Sequence, residues 1–237
     1  MLHDDSFPIT RWSLVTTAQK GAEQQATKAW SELFQMYWYP VYGYVRRRGH
    51  SSHDAEDITQ AFFGSLFKRN FVTDVAEGRG RLRGFLLAAL KNFLIDHHRR
   101  ETSIKRGGGA PIISIDQAEA EHRFIREAVD KDSPDVPFER SWAQTLLQDV
   151  LGKLQASYGR AEKEEIFMAL SSCLLSDESP DYRSLSVRLG CTVISLRVQF
   201  YRLKQRFGEL LVDEIRHTVS SNEEAEEERA YLLKVLS

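Results

Sequence analysis

The sequence predicts an all-α protein made of two small helical domains joined by a linker. Apolar residues recur at intervals of three and four through most of the chain, which is the helical period. Three consecutive glycines at 107–109 interrupt that pattern, and such a run disfavours regular structure. Four segments follow: an N-terminal helical bundle over 1–104, a linker over 105–139, a helix-turn-helix domain over 140–219 and an acidic C-terminal extension over 220–237.

Composition places the chain among ordinary globular proteins. It has 237 residues, a net charge of −2 and 42% hydrophobic residues, so overall basicity gives no argument for nucleic acid. The only cysteines, Cys173 and Cys191, form no CxxC pair, which argues against a zinc ribbon or a disulfide framework and for a reducing cytoplasm. No run is long enough to span a membrane, and the first residues lack the pattern of a signal peptide. We therefore expect a cytoplasmic protein without membrane insertion.

The first long helical pattern lies around Pro40. Trp30, Leu33, Phe34 and Tyr37 follow one helical face, and the pattern resumes at 41–45. Pro40 is expected to kink or interrupt the helix, because proline lacks an amide donor and clashes with the preceding turn. A basic turn followed by Gly49 is expected to end it.

The next helix is expected to begin at Ser51 or Ser52, with one of them as its cap. Its core face consists of Ala55, Ile58, Phe62 and Leu66. A second side carries Asp54, Asp57 and Gln60. That side could be plain solvated surface, or it could bind a basic partner helix; the apolar Phe63 at its border favours docking.

Residues 79–106 form the most basic stretch, with eight cations against two anions. Leu82, Leu86 and Leu90 recur at helical spacing, so one arc of the helix is apolar. A buried face opposite a dense positive face suits a helix that lies along a phosphate backbone. The alternative is a core helix with a solvated arginine-rich end, since cations near a helix C-terminus are favoured by the helix dipole.

The acidic charge is concentrated in two other places. Residues 116–139 hold eight acids against three bases, and Glu223–Glu228 contains five glutamates. The first stretch keeps apolar residues, so we expect a linker that packs against something rather than a free coil. For the second stretch we expect solvated acids; the alternative is that the glutamates cover a basic face.

A helix-turn-helix pattern occupies residues 179–212. Ser179-Pro180 is expected to start a short helix, Gly190 to make the turn and Thr192 to cap a longer basic helix. Such a second helix enters the major groove, where arginine can bind guanine with two hydrogen bonds. An ordinary helical hairpin is the alternative. The positions expected to be exposed are Ile194, Ser195, Arg197, Val198, Tyr201, Arg202 and Gln205.

Taken together, three motifs resemble the extracytoplasmic-function (ECF) class of bacterial RNA polymerase sigma factors, over residues 26–104 and 140–212. DAEDITQAFFGSLF at 54–67 resembles the core-polymerase-binding helix of that family. RLRGFLLAALKNFLIDHHRR at 81–100 resembles its minus-ten helix, and YRSLSVRLGCTVISLRVQFYRLKQRF at 182–207 its minus-thirty-five helix-turn-helix. TRWSLV at 10–15, the triple glycine and the acidic extension further resemble a planctomycete-type subgroup.

The resemblance implies a factor that binds core RNA polymerase, directs it to specific promoters and helps to melt the minus-ten region. It implies core RNA polymerase and promoter DNA as partners, and it allows an anti-sigma factor or another regulator as a further partner. By position it assigns polymerase contacts to Asp54, Asp57, Gln60 and Phe63; minus-ten contacts to Arg81, Arg83, Lys91, Asn92, Arg99 and Arg100; and minus-thirty-five contacts to Ser195, Arg197, Val198 and Arg202. The family usually has a small polar residue at the position of Val198, so the resemblance does not indicate which promoter sequence is bound.

Two other classes of protein fit parts of the sequence. A conventional helix-turn-helix regulator would bind DNA without polymerase, but it leaves the acidic side of 54–64 and the basic stretch unexplained. A metalloenzyme could use His50, His53 and Asp57, or His97 and His98, but neither set gives a credible three-ligand site. We therefore expect no catalytic residues, no metal and no cofactor.

Overall fold

The computed structural model describes residues 23–68, 81–101, 117–126, 134–176, 178–219 and 221–236. Within these residues the regular structure is helical, apart from turns, which confirms the predicted all-α class. The helices are α1 Glu23–Arg47, α2 Ser52–Lys68, α3 Leu82–Glu101, α4 Gln117–Arg126, α5 Asp135–Arg160, α6 Glu164–Leu170, α7 Tyr182–Leu189, α8 Val193–Arg216 and α9 Asn222–Leu236. The predicted extended piece at 112–115 and the triple glycine lie outside the described residues.

The described residues form two compact units. Unit 1 holds those up to Thr145 together with those from Ile215 onward, and unit 2 holds Leu146–Glu214. One division falls inside α5 and the other near the end of α8. The units describe packing alone, so the functional domains expected at 1–104 and 140–219 stay predictions.

Helix α1 runs without a break through Pro40, so the expected interruption is wrong. Its side chains around the proline are buried on nearly every side, including Tyr37, Trp38, Val41 and Tyr42. The Trp38 and Tyr42 rings stack with centroids 5.0 Å apart. Tertiary packing of this kind outweighs the roughly 3 kcal/mol that a proline costs inside a helix.

Helix α2 packs on α1 through the predicted apolar face, because Ala55, Ile58, Phe62 and Leu66 are all buried. The amide of Asp54 donates to the Ser51 hydroxyl at 3.1 Å, which identifies Ser51 as the cap. Gly49 has a φ of 95°, a left-handed conformation that glycine adopts at little cost.

Helix α4 forms part of the expected linker and is held against α1. The Arg46 Nη2 atom lies 2.7 Å from Glu121 Oε1, and the Tyr42 hydroxyl donates to Glu121 Oε2 at 2.5 Å. The hydrogen bond from Arg46 lowers the pKa of Glu121 below its ordinary value. This part of the linker therefore packs against a helix, as its sequence predicted.

Unit 2 has its own hydrophobic core. The described residues of that core come from α5, α6, α7 and α8, and the segments between them. They include Leu154, Phe167, Leu170, Leu174, Leu185, Leu196, Phe200 and Leu203. Leu196, Phe200 and Leu203 form an apolar stripe along α8, and all three are buried.

Candidate nucleic-acid interface

Helices α7 and α8 form the predicted helix-turn-helix. The first helix begins at Tyr182, and the Asp181 side chain caps it by accepting from the amides of Arg183 and Ser184, each at 3.2 Å. The expected cap at Ser179 is therefore wrong by two residues. Aspartate is at least as good a cap as serine, and the sequence offered both near Pro180.

The turn between α7 and α8 has the predicted chemistry. Gly190 ends α7 with a φ of 63°, which is the left-handed conformation that a helix C-terminus often requires. The Thr192 hydroxyl accepts from the amide of Ser195 at 3.1 Å and so caps α8. These two residues fix where α8 starts and therefore which side chains its first turns present.

The outer face of α8 presents every residue that the sequence placed there. Ser195, Arg197, Val198 and Arg202 are exposed, and so are Ile194, Tyr201 and Gln205. Neither Arg197 nor Arg202 is ion-paired within the part of the chain that the structure describes. The guanidinium of Arg197 lies 5.6 Å from the centroid of the Tyr182 ring. The helix thus offers cations and apolar side chains together on one surface.

Helix α3 is organised differently, because several of its cations have carboxylate partners. The six residues predicted to contact the minus-ten element differ in exposure. Asn92 and Arg99 are exposed, Arg81 and Lys91 are partly exposed, Arg83 is buried, and the side chain of Arg100 lies outside the described residues. The Lys91 Nζ atom lies 2.5 Å from Asp135 Oδ2, and this hydrogen bond raises the pKa of Lys91.

Arg83 is the most enclosed of these cations whose side chains the structure describes, with 4% of its surface exposed. Its guanidinium donates to both oxygens of Glu228, at 2.6 and 3.1 Å, and to Glu139 at 2.5 Å. Burial alone would lower the pKa of Arg83, but the bonds to Glu228 and Glu139 raise it above its ordinary value. In this conformation Arg83 links α3 to α5 through Glu139 and to α9 through Glu228.

Arg81 is bound by the same C-terminal helix. Its Nη2 atom lies 2.9 Å from Glu227 and its Nε atom 3.0 Å from Glu228. The side chain of Glu228 has no exposed surface. The expectation of solvated acids in the extension is therefore wrong for Glu228, although Glu226 and Glu227 remain largely exposed.

Helix α2 places the predicted polymerase contacts in two environments. Asp54 and Asp57 are exposed and Gln60 is half-buried. The hydrogen bond from the Ser51 hydroxyl lowers the pKa of Asp54, so this carboxylate is charged over the physiological range. Phe63 is 6% exposed, and its ring centroid lies 5.1 Å from that of Phe34. Its packing gives Phe63 a structural role, and its contact with a partner stays a prediction.

The family comparison identifies the class of protein to which this chain belongs. The family described as ECF sigma factor matches residues 9–189, which is most of the chain. The chain is an ECF sigma factor. Membership implies promoter-specific initiation of transcription with RNA polymerase, and members of this family are initiation factors rather than enzymes. No curated protein and no solved structure gives a significant match.

The family match ends at Leu189, the last residue of α7. Helices α8 and α9 lie beyond the matched residues. A role for α8 in DNA recognition therefore stays a prediction from its geometry: Gly190, the Thr192 cap and its exposed face. The sequence did not predict Asp135, Glu139 and Glu228 as partners of the α3 cations, although it located both acidic stretches.

The described part of the sigma factor contains neither a cluster of potential metal ligands nor a helix that could cross a membrane. No group of three or more histidine, cysteine or acidic side chains is arranged to hold a metal ion there. His53 lies 3.7 Å from Asp57, as an exposed pair on one helix. Among the described helices, none combines the length and the apolar character needed to cross a bilayer.

Proposed function

We propose that this sigma factor uses three separate surfaces to start transcription at specific promoters. The exposed side of α2 with Asp54, Asp57 and Gln60 binds core RNA polymerase. The outer face of α8 reads the minus-thirty-five element in the major groove. Helix α3 acts on the minus-ten element, with Lys91 and Asn92 handling an unpaired base.

The observation that carries the proposal is the outer face of α8. Residues 183–206 contain six cations and no acids, and Arg197 and Arg202 are exposed. Duplex DNA is the partner that this charge fits, because phosphates attract the cations and a groove arginine can read guanine. Ser195 lies in the first turn of the helix, the turn that enters the groove in this motif.

Melting fits the chemistry of α3. Separating base pairs costs unstacking energy, and holding an extruded base offsets part of that cost. Asn92 is exposed and can hydrogen-bond a base edge, since its amide both donates and accepts. Arg99 and Arg100 lie about two turns further along the helix, where they can bind the backbone of the separated strand.

The cellular setting follows from these partners. A protein that works on chromosomal DNA with polymerase is cytoplasmic in a bacterium, and a promoter-specific factor is a natural target for an anti-sigma factor or another regulator. TRWSLV, the triple glycine and the acidic extension support membership of the planctomycete-type subgroup.

Reconstitution with bacterial core RNA polymerase tests the proposal. A genomic fragment library is transcribed with core enzyme alone and with core enzyme plus the protein, and transcript starts are mapped by sequencing. We expect new starts that share upstream elements. Arg197→Ala with Arg202→Ala should abolish them, whereas Arg160→Ala, which removes a cation at the end of α5, should not.

Two further variants separate the steps. Asn92→Ala should bind core polymerase normally but reduce permanganate-reactive thymines, which report unpaired bases. Asp54→Asn with Asp57→Asn should weaken capture of the core enzyme, because the acidic side of α2 is removed. Sequence-specific DNA binding with no effect on core polymerase would refute the proposal and favour a conventional helix-turn-helix regulator.

A further inference from the structure

The cations of α3 are paired with acids from two helices that lie far away in sequence. Glu227 and Glu228 of α9 bind Arg81 and Arg83, as given above, and Asp135 and Glu139 at the start of α5 bind Lys91 and Arg83. All of these residues belong to unit 1. The two acidic stretches of the sequence therefore meet its most basic helix.

The contact between Arg83 and Glu228 is built into the packing of α9, whereas the pair between Arg81 and Glu227 lies at the surface. Glu228, Ala225 and Leu232 are buried on one side of α9. The Tyr231 ring lies under the guanidinium of Arg83, with 4.1 Å to its centroid. At the start of α3, the amide of Leu82 donates to the carbonyl of Thr218 at 3.2 Å. Exposed ion pairs contribute little to the stability of a fold. Removing one partner of an enclosed ion pair is much more destabilising, because the other charge is left buried and unpaired.

The contact of these arginines with Glu228 resembles the geometry in which arginine binds a phosphate group. Glu228 accepts two hydrogen bonds from Arg83, and the Arg81 Nε atom lies 3.0 Å from its Oε2 atom, so two guanidinium groups converge on one anion. Carboxylate and phosphate are recognised by the same planar set of donors. A guanidinium whose donors are taken by carboxylates has none left in those directions for a strand of nucleic acid.

We propose that α9, together with the acidic start of α5, occupies the nucleic-acid-binding surface of α3 in the free protein, and that nucleic acid must displace α9 to reach Arg81 and Arg83. This inference rests on the proposed function of α3. The acidic helix is an intramolecular substitute for the phosphate backbone. It makes free protein a weak binder of DNA and leaves α3 available only when α9 has moved.

A charge-matched pair of variants tests the inference. Glu227→Gln with Glu228→Gln removes the carboxylates that bind Arg81 and Arg83. Glu223→Gln with Glu226→Gln removes the same charge from the same helix; Glu223 is exposed and Glu226 pairs with Arg229 within α9. Binding of free full-length protein to a fluorescent single-stranded DNA pool of randomised sequence is measured by anisotropy over a range of salt concentrations.

We expect the Glu227/Glu228 variant to bind several-fold more tightly than wild type at low salt. If two cations become available to phosphates, log K against log salt should steepen by about 1.4, since each single-strand phosphate contact contributes roughly 0.7. The Glu223/Glu226 variant should stay close to wild type. Equal effects of the two variants would reduce the result to net charge and overturn the inference.

Hydrogen exchange of wild-type protein covers the case in which the Glu228 substitution unfolds unit 1. Saturating DNA should speed exchange of amides in Ala225–Leu232 if α9 is displaced. Unchanged or slower exchange there would show that the Arg83–Glu228 pair is only structural and would overturn the inference. Capture of core polymerase by the same proteins reports separately on the proposed function, so failure of the two ideas can be told apart.

Discussion

Leu203→Ala should loosen unit 2 far more than Val198→Ala, although the two residues lie on the same helix. Leu203 is fully buried in the core between α5 and α8, whereas Val198 is 43% exposed. Cutting a buried leucine to alanine costs about 3 kcal/mol, the sum of lost transfer energy and the cavity left behind. Removing two methyl groups from an exposed valine changes stability by roughly 0.5 kcal/mol or less.

Hydrogen exchange of peptides from α7 and α8 measures this difference within the full chain. A loss of about 3 kcal/mol corresponds to opening that is roughly a hundredfold more frequent, so Leu203→Ala should speed exchange by about that factor. Val198→Ala should leave it within about threefold of wild type. Similar exchange for the two variants would mean that the core and the outer face of α8 are assigned wrongly.

Three further outcomes follow from single contacts. Gly190→Ala should cost unit 2 about 1 kcal/mol in denaturant unfolding, because φ is 63° although the space around Gly190 is open; Gly190→Asn should cost less. The hydrogen bond from Arg46 lowers the pKa of Glu121 in the folded protein. The pair therefore stabilises the fold fully above the ordinary pKa of 4.5, and this stabilisation is lost as pH falls through the pKa of the folded state. The difference in unfolding free energy between wild type and Glu121→Gln should therefore shrink below about pH 4.5. If Val198 packs on a thymine methyl group, deoxyuridine at that position of a selected promoter should weaken binding about fourfold, from about 0.8 kcal/mol, and Val198→Ala should remove this sensitivity.

Local chemistry made much of unit 2 predictable. Gly190 ends α7 in a left-handed conformation and Thr192 caps α8, and few other residue types suit either position. Because the apolar stripe of α8 is buried, Arg197 and Val198 lie on its outer face. The sequence was less informative about the start of α7, because Ser179 and Asp181 are both good caps and only packing selects between them. The predicted interruption at Pro40 was wrong for a similar reason, because local helix propensity does not take account of how the neighbouring side chains are buried.

The ion pairs of α3 could not be located from the sequence. Arg83 and Glu228 are 145 residues apart, and charge patterning gives the sign of a partner without its position. The glutamate run contained five candidates in six residues, of which Glu227 and Glu228 bind the arginines at the start of α3. Long-range pairing of this kind is a property of the folded unit.

The bond from the Leu82 amide to the Thr218 carbonyl has a consequence for how the protein is made. Residues 215–236 leave the ribosome after every other described residue, yet they supply a partner for the first amide of α3 and for the arginine beside it. Unit 1 therefore cannot complete its packing while it emerges, and it must wait until the whole of unit 2 has been synthesised. Nascent chains arrested before residue 215 should carry a start of α3 that proteases cut easily, and release of the finished chain should protect it.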